Sequence, residues 1–477
     1  MSTRDSLRDA DARQAGSLRL AAGILAGRAS ASLIRAARAG GATTVPGRVA
    51  RFLVPDLLPR LAARLRHGVI LVTGTNGKTT TARLVSALLA AAGHRPIHNR
   101  AGANLPAGIA AALVGGAGVD GRLQGDVGVF EVDEAALPGV AEALRPRAVV
   151  LGNLFRDQLD RYGEVDLVAA RWRRALDALG GATTVLYNAD DPLVADVARG
   201  RTPSRTFGVD DPDLRPGAVL EHAADARYCY RCGVPYVYRT VTLGHLGDYR
   251  CPRCGVARPA LEAAARAVRL AWVEGSSFTL ASGGMALALR TVLPGLYNVY
   301  NITAAVATAL WAGVPPEVVA PTVAAFAPAF GRGERLHLDG HPVHLLLAKN
   351  PAGFNEVLRT VLADARPLVA VIAINDLLAD GQDISWLWDV DFELLREAAR
   401  LVVATGRRRE DLAVRLKYAG LAPGTVVVEA DEGRALARGL AALDPGQPLY
   451  VIPTYTALLR LRGLLTRRGL VRGFWEA

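Results

Sequence analysis

Residues 68–93, GVILVTGTNGKTTTARLVSALLAAAG, constrain this chain more than any other stretch. An apolar run, GVILVT, ends in a loop carrying Gly74 and Gly77 and then enters a helical pattern. A buried strand that turns at once into a helix belongs to a mostly parallel α/β sheet. Gly74, Thr75, Asn76 and Gly77 can close their backbone N–H groups around a phosphate at the helix N-terminus. Lys78 reaches toward β- and γ-phosphate oxygens, the Thr79 hydroxyl is placed to hold Mg²⁺, and Thr80 continues the same turn. The spacing departs from the common phosphate loop, because Val72 stands five residues before Gly77 where that loop has glycine. A glycine loop alone says little. Strand, helix, lysine and threonine together point to ATP.

The pattern recurs downstream. GDVGVFEVDEAAL, RAVVLGNLFRDQLD and ATTVLYNADDP each read as an apolar strand ending in polar residues, where ligands sit in such sheets. From about residue 337 a second α/β unit begins, with strands HLLLA, PLVAVIAI, LVVAT, TVVVEA and LYVIPT. A chain of 477 residues is too long for one core. The expected division is a basic helical segment over 1–65, a nucleotide-binding domain over 66–336 and a C-terminal Rossmann-like α/β domain over 337–477. No apolar run reaches the roughly 18 residues of a spanning helix, and no signal-peptide pattern is present, so the expectation is a cytoplasmic protein.

The net charge is +11, yet only Lys78, Lys349 and Lys417 are lysines. The positive charge is arginine, which in so alanine- and glycine-rich a chain reflects composition before any nucleic-acid role. The first 60 residues hold ten Arg and four Asp, and SLRLAAGILAGRASASLIRAARAG reads as a basic helix with an apolar face. It either docks on the next domain or also rests near an anionic membrane surface.

All four cysteines lie within residues 225–257, in YCYRCG and YRCPRCG. Cys229 and Cys232, then Cys251 and Cys254, form two CxxC pairs, each with glycine after the second cysteine. Four thiolates in that spacing make a closed, structural Zn²⁺ ribbon. A small insert with little core of its own needs such a staple. Arg231, Arg250 and Arg253 are nearby, but the expectation is a staple and no nucleic-acid partner. With four cysteines on zinc, none remains as a nucleophile.

GTNGKTTT resembles the ATP loop of Mur ligases and folylpolyglutamate synthetases, and further matches follow in family order. FEVDEA, GNLFRDQLDRYGE, LYNADDP, PGLYNVYNITAA and GRGERL resemble the family's successive segments. The resemblance implies that Glu131 is a magnesium ligand, that Asn301 lies near adenine and that Arg332 reaches the nucleotide. Gln158 stands where many relatives have histidine, and no lysine lies between Lys78 and Lys349 to be carbamylated. Only about 65 residues precede the strand that enters the ATP loop, so the UDP-sugar domain of Mur ligases is expected to be missing.

LLLAKNPAGFNEVL, AINDLLADGQDISWLWDVDFE, ATGRRREDLAVRLKYAG and VIPTYTALLRLR narrow the resemblance to the MurT family, the Mur-ligase-like subunits of bacterial lipid II isoglutaminyl synthases. That family implies ATP-dependent amidation of the α-carboxyl of D-glutamate in the lipid II stem peptide, with ammonia from a GatD-type glutaminase partner, at the inner face of the membrane. The other enzymatic reading is an amino-acid-adding Mur or folylpolyglutamate-type ligase. A third reading is a zinc-ribbon nucleic-acid binder that uses ATP as a switch.

One stretch resists an ordinary assignment. NDLLADGQDISWLWDVDFE, residues 375–393, packs Asp376, Asp380, Asp383, Asp389, Asp391 and Glu393 around Trp386 and Trp388. It has no histidine and no repeated ligand spacing, which disfavours a metal site. As a solvated loop it would leave two tryptophans exposed without purpose. In the MurT family an aspartate of this region completes the partner's Cys-His pair. Asp389 is the first choice here and Asp383 the second, with the tryptophans docking the partner. Asp391 and Glu393 are expected to cap or flank a helix over DFELLREAARLVV.

Overall fold

The computed structural model describes residues 3–36, 43–99, 103–156, 165–214, 224–327, 332–363, 367–467 and 469; for 3–16 and 332 only the backbone is described. Two sheets organise the chain. The larger is built from β1 (Val69–Thr73), β2 (Pro96–His98), β3 (Val127–Glu131), β4 (Ala148–Leu151), β5 (Thr184–Asn188), β6 (Ser204–Val209), β9 (Ala263–Leu270), β10 (Ser276–Ser282) and β11 (Met285–Thr291). The smaller comprises β12 (Arg332–Leu338), β13 (His341–Leu346), β14 (Leu368–Ala373), β15 (Ala399–Thr405), β16 (Val426–Val428) and β17 (Leu449–Pro453).

The larger sheet runs β11-β10-β9-β6-β5-β4-β1-β3-β2. Its strands from β2 to β9 are parallel, and β10 and β11 extend it by antiparallel pairing. Every residue of β1, β3, β4 and β5 is buried. This is why they read as unbroken apolar runs: helices cover both faces of a parallel sheet. Successive residues of β1 feed opposite cores, Val69 and Leu71 on one side and Ile70 and Val72 on the other. The antiparallel extension was not foreseen. Its outer strand MALALRT, and AAARAVRL from which it grows, are rich in alanine and arginine and carry one β-branched residue each, Thr291 and Val268, too few to mark a strand.

The smaller sheet runs β12-β13-β17-β14-β15-β16, parallel except for the β12–β13 edge. The five C-terminal strands read from the sequence fall on β13 to β17. The helix expected over DFELLREAARLVV does not form. A single turn, Phe392–Leu395, precedes β15, whose Val402 and Val403 are fully buried. The interior of a parallel sheet outweighs the helical spacing of that segment.

Three helices precede the sheets: α1 (Thr3–Ala36), α2 (Val45–Leu53) and α3 (Leu57–Ala62). α1 docks on α2 through Leu20, Ile24, Gly23 and Gly27. A β-carbon at Gly23 would stand 2.6 Å from Val54, so only glycine permits this approach. β7 (Val237–Leu243) and β8 (Leu246–Arg250) form a separate antiparallel pair carrying the cysteine knuckles.

Candidate functional site

β1 ends at Thr73 and the helix α4 (Lys78–Ala91) starts five residues later. Gly74 and Gly77 both have positive φ, 143° and 87°. At Gly77 a β-carbon would lie 1.9 Å from Asn301 Oδ1, so the turn requires glycine for space as well as for conformation. The segment after β4 clasps the loop. Thr75 N donates to Asn153 O at 2.8 Å, Asn76 N to Asn153 Oδ1 at 2.9 Å, and Phe155 N to Thr75 Oγ1 at 2.9 Å. From the smaller-sheet unit, Asn350 Nδ2 donates to Asn76 Oδ1 at 3.0 Å. The loop is therefore walled by two units of the chain.

Lys78 is buried and donates to the carbonyls of Gly74 and Thr75 and, at 3.0 Å, to Glu134. The Thr79 hydroxyl donates to Glu131 Oε2 at 2.8 Å. Asn99 fixes Glu131 through its backbone, accepting from its N–H at 2.9 Å and donating to its carbonyl at 2.8 Å. Two adjacent oxygen ligands of octahedral Mg²⁺ stand about 3 Å apart, so the Thr79 and Glu131 oxygens fit one edge of such an ion's shell. Thr80 is buried on α4. Asn301, on the helix Leu296–Trp311, is buried against Gly77, and its Nδ2 donates to Asn298 Oδ1 at 3.1 Å. Arg332 opens β12, but its side chain and Gln158 lie outside the described residues.

The four cysteine sulfurs lie within 4.8 Å of one another. Cys229 Sγ is 3.5 Å from Cys254 Sγ, and Cys232 Sγ is 3.4 Å from Cys251 Sγ. Four sulfurs around tetrahedral zinc stand about 3.8 Å apart, so the set fits that ion with small adjustment. Each knuckle turns on a left-handed glycine: Gly233 N donates to Cys229 O at 2.8 Å and Gly255 N to Cys251 O at 3.2 Å. Backbone N–H groups of Cys254 and Arg253 hold the Cys251 thiol down to about 6. The ribbon is tied to the large sheet. Buried Asp190, after β5, accepts from Tyr300 at 2.7 Å and from Arg258 at 3.1 Å; Thr242 of β7 meets the Tyr300 hydroxyl at 2.6 Å. Burial pushes Asp190 up to about 6, with Arg258, Tyr300 and the Val209 N–H pulling the other way.

The acidic stretch resolves into separate duties. Asp376 pairs with Arg407 at 2.7 Å and Arg408 at 2.8 Å; the Arg407 hydrogen bond leads in holding its carboxyl below the usual range. Asp380 is buried and accepts from Thr456 N at 2.8 Å. Asp391 meets Asn355 at 3.1 Å and Arg359 at 3.3 Å, and Glu393 meets Arg415 at 2.9 Å. Asp383 is exposed and accepts from Ser385 N at 2.8 Å. Asp389 faces Arg156 at 3.6 Å, across from the larger-sheet unit. The tryptophans divide. Trp386 is half-buried against the core of the smaller-sheet unit, its ring 6.1 Å from that of Phe354. Trp388 is 55% exposed, its ring is tilted against that of Tyr418 at 5.7 Å, and it lies by Arg415. Exposed Val414 and Tyr418, one helical turn apart, widen that patch.

Residues 72–231 match the model of the Mur ligase middle domain, and 347–458 match that of the MurT ligase C-terminal domain. The chain is 31% identical to the lipid II isoglutaminyl synthase (glutamine-hydrolyzing) subunit MurT of Streptococcus pneumoniae, over 95% of this chain and 99% of that one. The chain belongs to the MurT family. The namesake subunit of Staphylococcus aureus is likewise 31% identical, over 91% of this chain and 95% of that protein. Among solved structures, a pseudomurein peptide ligase type C from Methanothermus fervidus superposes with a TM-score of 0.65 at 21% identity, covering 86% of this chain and 80% of its own. MurF from Acinetobacter baumannii gives 0.63 at 16% identity, covering 90% and 81%. These two establish the Mur ligase fold for this MurT-family chain.

Several site residues were missed from the sequence. Glu134, Asn99, Asn153, Arg156 and Asn350 each hold a predicted residue in place. The available signal was position: Glu134, Asn99 and Asn153 stand within three residues past the ends of β3, β2 and β4.

Proposed function

We propose that this MurT-family chain is the amidating subunit of a lipid II isoglutaminyl synthase. The supporting observation is the near-full-length match to subunits of that name, on a chain whose loop, Lys78, Thr79 and Glu131 converge. ATP transfers its γ-phosphoryl group to a carboxylate oxygen of D-glutamate in the stem peptide, giving an acyl phosphate and ADP. Ammonia attacks the carbonyl carbon, phosphate leaves, and one proton is lost to give D-isoglutamine. The α4 N-terminus and Lys78 bind and orient the phosphates, and Lys78 exchanges Glu134 for a phosphate oxygen. Thr79 and Glu131 hold Mg²⁺, which when bound neutralises phosphate charge. Asn301 and Arg332 serve the nucleotide.

Zn²⁺ on Cys229, Cys232, Cys251 and Cys254 is structural and occupies every cysteine of the chain, so glutamine is hydrolysed elsewhere. A GatD-type glutaminase docks on the Trp388–Tyr418 patch, and Asp389 or Asp383 orients its catalytic histidine. Neither nucleic acid nor a UDP-sugar acceptor is required. The chain works in the cytoplasm at the membrane face; no described helix is long and apolar enough to cross a membrane. The test is direct. Purified chain with Mg-ATP and ammonium amidates lipid II, while glutamine supports the reaction only after a glutaminase is added. Use of glutamine by the chain alone sinks the proposal.

A further inference from the structure

From Leu18 to Leu33, α1 is apolar on two faces. Leu20, Gly23, Ile24 and Gly27 are buried against α2 and its neighbours. Leu18, Ala22, Leu25, Ala29 and Leu33 recur at i, i+4, i+7, i+11 and i+15, a single helical stripe, and every one is exposed. Leu18, Leu25 and Leu33 are 66%, 50% and 71% exposed. Arg19 flanks the stripe on one side, and Arg28 and Arg35, seven residues apart, flank it on the other. Arg19 Nε donates to Leu53 O at 2.7 Å, which brings the end of α2 beside the Leu18 end of the stripe. There Phe52 is 85% exposed.

Charge decides what suits this face. Between Asp11 and Asp56 the chain has seven arginines, no acidic residue and no lysine. A second copy would bring the same cations against each other. A helix that lies in a lipid headgroup layer needs this combination: aliphatic and aromatic residues outward, arginines along both margins, and no carboxylate.

We propose that the Leu18–Leu25–Leu33 stripe and Phe52 seat the chain on an anionic phospholipid surface, with α1 from Leu18 onward lying in the plane of the headgroups. The inference rests on the proposed function only for its purpose, since a lipid-linked acceptor stays within reach of a chain held there. The binding itself stands apart.

Flotation of the full chain with vesicles reads binding without turnover. Vesicles containing one-third phosphatidylglycerol carry up the chain at least about tenfold better than pure phosphatidylcholine. Leu25→Glu with Phe52→Glu removes that difference and leaves the melting temperature unchanged, because both side chains face solvent. Arg28→Gln with Arg35→Gln weakens binding and its salt dependence without touching the apolar stripe. Equal flotation of the Leu25/Phe52 variant and the parent overturns the proposal. So does a parent that ignores the anionic lipid, or one whose stripe variants abolish self-association in sedimentation velocity instead. Ammonium-driven amidation of a short-chain, water-soluble lipid II surrogate separates the two readings. It persists in the stripe variants; its absence in the parent sinks the proposed function and leaves vesicle binding standing.

Discussion

Asp389 of the C-terminal unit faces Arg156 of the larger-sheet unit at 3.6 Å, and the same guanidinium is held by Asp225, which also accepts from Arg156 N at 2.9 Å. The residue first in line to serve a partner's active site thus already has a cation opposite it. Asp383 has no comparable claim on it; it accepts a local N–H and is exposed. Asp389→Asn and Asp383→Asn, assayed in a complex with the glutaminase, separate the two. The variant that removes the partner's orienting carboxylate lowers glutamine hydrolysis by a factor on the order of 10³ and spares ammonium-driven amidation. As a half-exposed ion pair, Arg156–Asp389 contributes at most about 1 kcal/mol, so neither substitution unfolds the chain. Full glutamine hydrolysis in both variants would show that this stretch lends no carboxylate.

Lys78 and Glu134 form a pair whose side chains are only 9% and 7% exposed. Glu134→Gln leaves a buried ammonium without its counter-charge and lowers stability by about 3 kcal/mol. Mg-ATP supplies phosphate oxygens in its place, so thermal melts recover most of the loss when nucleotide is added. Lys78→Ala instead lowers kcat on the order of 10²-fold or more, in ammonium-driven and glutamine-driven assays alike. A Glu134→Gln melt indifferent to nucleotide contradicts the exchange.

Removing metal from the cysteine set has effects beyond the ribbon. Arg258 and Thr242 connect it to Asp190 and Tyr300, and Tyr300 adjoins Asn301 against the phosphate loop. Chelation or Cys251→Ser lowers the melting temperature by about 5 °C and raises the KM for ATP. Calorimetry and ATP titration of metal-stripped protein check both; unchanged values would make the ribbon energetically independent.

His344 is buried between Trp272 and Tyr450, its ring 5.6 Å from Tyr450, where β13 meets the loop before β10. Burial lowers its pKa from 6.5 to about 4. Between those values the unfolded chain binds a proton that the native chain refuses. This group's contribution to stability is therefore complete above pH 6.5 and is lost as pH falls toward 4, by an amount on the order of 3 kcal/mol. Asp190 acts with the opposite sign, because its raised pKa makes the native chain the better proton binder between 3.8 and about 6. Denaturant melts of the parent and His344→Gln from pH 7 to 4 isolate the histidine. The variant's curve falls less steeply; parallel curves would refute the assignment.

The sequence carried what repeats and what punctuates. β1, β3, β4 and β5 were legible because burial on both faces leaves no polar alternation, and the knuckles because Gly233 and Gly255 must follow their cysteines. Asp391 and Glu393 were misplaced because helical spacing in DFELLREAARLVV competes with β15, and only the sheet around Val402 decides that contest. That Trp386 leans into the core while Trp388 faces out was not legible, because its half-burial depends on Phe354, some thirty residues away in sequence. Arg156, Glu134 and Asn350 were silent for the same reason. Each works through long-range hydrogen bonds or ion pairs that no local pattern records.

The reciprocal amides of Asn76 and Asn350 set a limit on how this chain can be dissected. A fragment ending before Arg332 would keep every residue from Gly74 to Thr81, with Glu131 and Asn301. It would nonetheless bind nucleotide through a loop with one side open to water. The gene is thus not a string of interchangeable cassettes, and nucleotide affinity measured on the isolated fragment would describe a binding surface that the whole protein never presents.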